Sequence, residues 1–246
     1  MEIVDLLIRV FAGAVIGWFL ATTIHELGHV LCGLLHHWKL SMLVIGPFKL
    51  YREKPEDKIR FGIEKNPVLW GGVGGTFPAS QSADDVRIWS EILLAGPLTS
   101  LIFGVLTVPV CILMRSLIML MLCLMLFAMG LVTILPMQMK TGLLYNDGTR
   151  YMRIRSGGQE AAEETALLLL MEVTLFGDAD STYPEKLIEP LRNSKDPELN
   201  YYGCYYAYRN AVREQNPEQI ELLLDQMDAL KDRVPKIIQD DCRLDA

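Results

Sequence analysis

The sequence predicts a mainly α-helical, polytopic membrane protein. It has a three-helix transmembrane core, a short membrane-associated β segment in the loop after the first span, and a soluble α-helical C-terminal domain. Three observations carry that prediction. Three apolar runs, each near or above the roughly 20 residues that cross a bilayer's hydrocarbon core, hold almost no charge. Charge is divided along the chain: residues 1–155 hold 14 Lys and Arg against 11 Asp and Glu, a net +3, and residues 156–246 hold 9 against 19, a net −10. Beyond residue 156, prolines recur where helices would begin. Whole-chain averages of 51% hydrophobic residues and net −7 resemble a soluble acidic protein only because they average two environments.

The first span is expected over about residues 3–35. Between Arg9 and Lys39 its only formally charged residue is Glu26. The start, Met1-Glu2-Ile3-Val4-Asp5, lacks a basic n-region and a small-residue cleavage site, so this segment is expected to be retained. The loop over residues 39–90 follows, with an alternating patch at Ile59–Ile63 and a glycine-dense one at Trp70–Phe77. Both are expected to be short strands with tight turns against the membrane face. Uncharged runs at 92–114 and from Leu117 to Met139 supply the second and third spans, the third core taken as 117–136, with only Arg115-Ser116 between them. They predict an antiparallel transmembrane hairpin. Pro97 is expected in the first turn of its helix, where proline is tolerated, and Pro109 inside it.

Eight Lys and Arg lie between Lys39 and Arg87, and Lys140, Arg150, Arg153 and Arg155 follow the third run, against single arginines at 9 and 115. The positive-inside rule therefore predicts a multi-pass protein of the cell membrane, its N-terminus outside and its loop and C-terminal domain in the cytoplasm. Domain limits are expected at 1–155 and 156–246, with Ser156-Gly157-Gly158 as hinge. In the second part helices are expected from Gln159 to Phe176, Pro184 to Arg192, Pro197 to Glu214, Pro217 to Leu230 and from Pro235 onward. The pair after Pro197 has tetratricopeptide-like lengths without a second clean copy, so a small bundle is an equal reading. Five cysteines without C-x-x-C spacing read as free thiols. With no basic cluster and an acidic tail, nucleic acid is not an expected partner.

All four histidines fall in the first 37 residues, two of them in His25-Glu26-Leu27-Gly28-His29. Residues four apart share one helix face, so both imidazoles can hold one metal ion while the glutamate reaches its water. Ionisable groups at membrane depth are expensive, which favours a cation among them over a purely structural polar cluster. The same row runs back through Ala21, Gly17 and Gly13, small residues that admit another helix. His36 and His37 are expected at the surface. A catalytic zinc needs a third protein ligand, for which Glu91 and Asp147 both stand near the ends of apolar runs. Asn146-Asp147-Gly148 alone reads as a turn.

The His-Glu-Leu-Gly-His motif, the Leu94-Ala95-Gly96-Pro97 opening of the next span, and Leu135-Pro136 followed by Asp147-Gly148 together resemble the site-2 protease family of intramembrane zinc metalloproteases. The likeness covers residues 1–155 and is to a compact member without a PDZ-like insertion. It implies a three-span core, zinc bound by His25, His29 and Asp147, and Glu26 as general base. The substrate it implies is a transmembrane protein or membrane peptide. The chain departs from the family pattern in having Thr133 near a position where asparagine is common, and eleven residues from Pro136 to Asp147. Gly72, Val73 and Gly74 are candidates for an edge that pairs with an extended substrate. The acidic tail is expected to dock or regulate through a cytoplasmic protein partner. Rival readings are a non-catalytic zinc-binding scaffold or immunity-type protein, which has no need of Glu26, and a zinc transporter or sensor. The latter should carry further ligands across the spans, yet no His, Asp or Glu lies between Ile92 and Met139.

Overall fold

The computed structural model describes residues 2–54, 56–80, 82–136, 140–141, 144–176 and 181–242. Residues 137–139, the end of the third uncharged run, lie outside them. The chain is mainly helical, with a small antiparallel sheet, and divides into two compact units, Met1–Met152 and Arg153–Ala246. The described cysteines are free.

In the first unit, three helices are long and apolar enough to cross a membrane: α1 (Glu2–Leu35), α2 (Asp85–Met114) and α3 (Leu117–Ile134). All three pack on one another. The small residues of α1 permit this: a methyl group added at Gly17 would lie 3.0 Å from the backbone of Leu122, and Ala21 is wholly buried against Leu122 and Leu126 of α3. On α2 the matching row is Gly96, Ser100 and Gly104, all buried. Helix α2 starts at Asp85, before the uncharged run, because absence of charge marks the portion suited to lipid and not the end of the hydrogen-bonded helix. Pro97 consequently lies inside α2, not in its first turn, and Pro109 lies inside it as expected.

Between α1 and α2 the chain forms a four-stranded antiparallel sheet, ordered β3-β2-β1-β4: β1 (Lys39–Ile45), β2 (Phe48–Tyr51), β3 (Arg60–Ile63) and β4 (Val73–Phe77). His37, with φ 64°, turns the chain out of α1, and Gly46, with φ 56°, opens the two-residue turn between β1 and β2. The two expected strands are present, but the glycine-dense patch begins as a 3-10 turn (Pro67–Gly71) and becomes strand only at Val73. The sequence reading missed β1 and β2. Met42–Ile45 is a continuous apolar run shortly after a membrane helix, without the sustained alternation that marks a half-buried strand. Strand β4 is an edge of the sheet and packs on α1.

After α3, short strands β5 (Lys140–Thr141) and β6 (Leu144–Tyr145) pair, and α4 (Asp147–Ser156) begins at the position read as a turn. In the second unit, α5 (Gly158–Phe176), α6 (Glu185–Arg192), α7 (Pro197–Arg213) and α8 (Pro217–Leu230) each pack on the next, and α9 (Lys236–Asp241) follows. Asp196 and Asn216 cap α7 and α8 by accepting the N–H of Glu198 and Gln219, with proline at the first helical position in each. Gly203 lets α7 cross α6 closely, since a methyl group there would stand 2.5 Å from the nitrogen of Arg192. Leu170, Ile188, Leu191 and Ile238 are wholly buried in this unit.

Candidate metal centre

His25, Glu26 and His29 face inward from α1 and are almost fully buried. The imidazole Nδ1 of His29 lies 2.7 Å from the carbonyl of Ile92 on α2. A carbonyl only accepts, so Nδ1 carries the proton and Nε2 of the neutral ring is left with its lone pair. Pro97, inside α2, offers no N–H to the carbonyl of Leu93, the neighbour of Ile92. Gly96 makes room for the ring itself, since a methyl group there would collide with His29. Nδ1 of His25 meets Ser100 Oγ at 3.0 Å, an orienting contact of the kind that fixes metal-binding histidines.

Asp147 arrives from α4, 122 residues after His25. Its Oδ2 stands 3.3 Å from His25 Nε2 and 3.5 Å from His29 Nε2, and the two nitrogens are 3.2 Å apart. These residues are the group among those described that could hold a metal ion. The triangle fits a zinc ion: ligand bonds of about 2.0–2.1 Å at tetrahedral angles separate neighbouring ligand atoms by about 3.3 Å. The donor chemistry fits as well, because two imidazole lone pairs and a carboxylate oxygen repel one another unless a cation or proton lies between them. Burial works to raise the Asp147 carboxyl, but the two imidazoles beside it outweigh that and hold the group well below the usual carboxylate range. It stands ionised, as a metal ligand must.

The first turn of α4 is itself held in place. Arg150 lies over the Trp89 ring at 5.1 Å, and Trp89 stacks on Trp38. Asn146 joins α4 to α3: its Nδ2 donates to the carbonyls of Val132 and Leu135, both at 2.8 Å, and its Oδ1 accepts the Thr149 N–H at 3.1 Å. Glu91, the rival third ligand, is not brought to the centre; it pairs with His36 at 2.9 Å and with Arg87 at 2.6 Å. His37 is exposed.

Glu26 lies beside the start of β4, and its carboxylate accepts the Gly74 N–H. The glycines are required there: methyl groups at Gly72 and Gly74 would stand 2.7 Å from Glu26 Oε1 and from the Glu26 carbonyl oxygen respectively. Gly72 also holds φ 109°, outside the range of other residues. Val73 starts β4 between them. Sequence reasoning missed Ser100, the Ile92 carbonyl and Asn146. Two signals could have found them: Ser100 falls four residues after Gly96 in a run facing a histidine row, and Pro136 deprives the Val132 carbonyl of its helical donor, so another group must supply one.

Residues 13–239 match the sequence profile of Peptidase family M50. No curated protein and no solved structure matches the chain.

Proposed function

The chain belongs to peptidase family M50, the site-2 protease family of membrane metallopeptidases, and from that premise we propose that it hydrolyses a peptide bond within or next to a transmembrane segment of another protein, with zinc held by His25, His29 and Asp147. The observation that carries the reading is the convergence of those three ligand atoms, 3.2–3.5 Å apart, beside a buried glutamate on an apolar helix.

Bound there, zinc supplies Lewis acidity toward a water and toward the substrate carbonyl. The Glu26 carboxylate takes the proton of the attacking water and returns it to the leaving amine. The Gly74 N–H keeps that carboxylate oriented, and the Ile92 carbonyl and Ser100 keep the two imidazoles aimed. A helix hides its peptide bonds, so the substrate has to be extended at the site. Gly72, Val73 and Gly74 line the edge where an extended segment can add as a strand next to Glu26.

The three membrane-length helices support a multi-pass arrangement, and the distribution of Lys and Arg supports an outside N-terminus with the C-terminal unit in the cytoplasm. That unit serves as a docking or regulatory module for a cytoplasmic protein; a chain truncated at Gly158 that cleaved the same substrates at an unchanged rate would remove this role. The catalytic reading is tested by Glu26→Gln with a co-expressed membrane substrate. Zinc content should stay at the wild-type level while cleavage is lost. Continued cleavage would sink the assignment, and retained zinc with no cleavage by the wild-type chain against a panel of membrane substrates would favour the scaffold.

A further inference from the structure

Asp147 reaches the metal centre from a different part of the chain than the histidines, and its backbone follows a helix end that proline leaves incomplete. In a regular helix the carbonyl of Val132 would accept from the amide of residue 136, but Pro136 has no N–H. The carbonyl of Leu135 lies past the last turn of α3, which ends at Ile134. Both carbonyls take their hydrogen bonds from one group, Nδ2 of Asn146, at 2.8 Å each. The other end of the same amide caps α4: Oδ1 accepts the N–H of Thr149, the third helical residue, and the Thr149 hydroxyl at 2.5 Å. Asn146 is buried and its hydrogen-bonding capacity is filled on both sides. Gly148 completes the junction, because a side chain there would run into the carbonyl of Ile134.

We propose that Asn146 is the positioning residue that fixes Asp147 for metal binding, capping the end of α3 and the start of α4 with a single side chain. Asp147 is the next residue along, so its Cα cannot move without breaking one of the two caps. The inference rests on the zinc reading of His25, His29 and Asp147, and it adds what holds the third ligand beside the two histidines.

The test uses the full-length chain in detergent micelles, titrated with zinc in competition with a chelator, with cleavage and thermal unfolding followed in parallel. Asn146→Ala is expected to weaken zinc binding about 10–100-fold, the range for residues that orient metal ligands, and cleavage should recover at saturating zinc. Asn146→Ser retains an acceptor for the Thr149 N–H but has no donor for the α3 carbonyls, so it should also weaken zinc. Adding Pro136→Ala to Asn146→Ser returns an N–H to Val132 and should recover part of that loss. A merely structural role would lower the unfolding temperature of the metal-free chain and leave zinc affinity unchanged in both variants, and that result would overturn the proposal. So would a failure of Pro136→Ala to recover any affinity. Asp147→Ala in the same titration separates the two levels: if it binds zinc as tightly as wild type, the reading of the site fails independently of Asn146.

Discussion

In the second unit, Arg153 lies with Glu163 and Glu164, its Nε donating to Glu164 Oε1 at 3.0 Å and an Nη2 bonding Glu163. In the first unit, the buried His25 and His29 and the half-buried Asp147 bring two imidazole nitrogens and a carboxylate oxygen within 3.5 Å of one another. One set pairs a guanidinium with carboxylates and serves as a tie between α4 and α5. The other gathers three ligand atoms that could hold a metal ion. Burial of charge alone therefore does not mark a functional site; what separates the two sets is the chemistry of the groups brought together.

The comparison can be broken most directly at its centre. Asp147→Ala should take zinc content from stoichiometric to near zero in the purified chain, with cleavage lost alongside, whereas Glu163→Gln should leave zinc content unchanged. Next in size, Arg153→Met leaves two carboxylates in the interior of the second unit without their guanidinium and should destabilise it by about 3–5 kcal/mol. Unfolding of that unit followed by circular dichroism would read this, and substituting Glu163 and Glu164 by Gln in the same chain should return much of the loss. A silent Arg153→Met would remove the contrast between the two sets. Gly96→Ala presses on the His29 ring and should weaken zinc at least about tenfold, while Gly72→Ala presses on Glu26 and should lower cleavage with zinc affinity held. Smallest, Ser100→Ala removes only the partner of His25 Nδ1 and should weaken zinc about tenfold.

The helical part of the fold is plainly written in the residues. Runs without charge, and prolines at or just before the starts of α6, α7, α8 and α9, are local signals that need no knowledge of the tertiary structure. The sheet is less legible, because β1 and β2 owe their pairing to partners on other strands and their own residues could equally continue a buried helix. At the site, His25, Glu26 and His29 sit on one helix and announce themselves by spacing. The contributions of Ile92, Ser100 and Asn146 are contacts between helices, and the backbone carbonyl of Ile92 carries no side-chain signature at all. Asp147 is intermediate: its residue type is suggestive, but its location depends on a junction between α3 and α4 that only the folded chain makes.

The position of Arg153 also bears on how the protein can be divided for study. The glycines at 157 and 158, with φ of 73° and 67°, invite a cut just before them. A recombinant tail starting at Ser156 would take α5 with Glu163 and Glu164 and leave their counter-charge on the other piece. A soluble fragment suited to partner screening or crystallisation should instead open at or before Arg153, and comparing the yields of the two versions would show how much of the tail's folding depends on that one side chain.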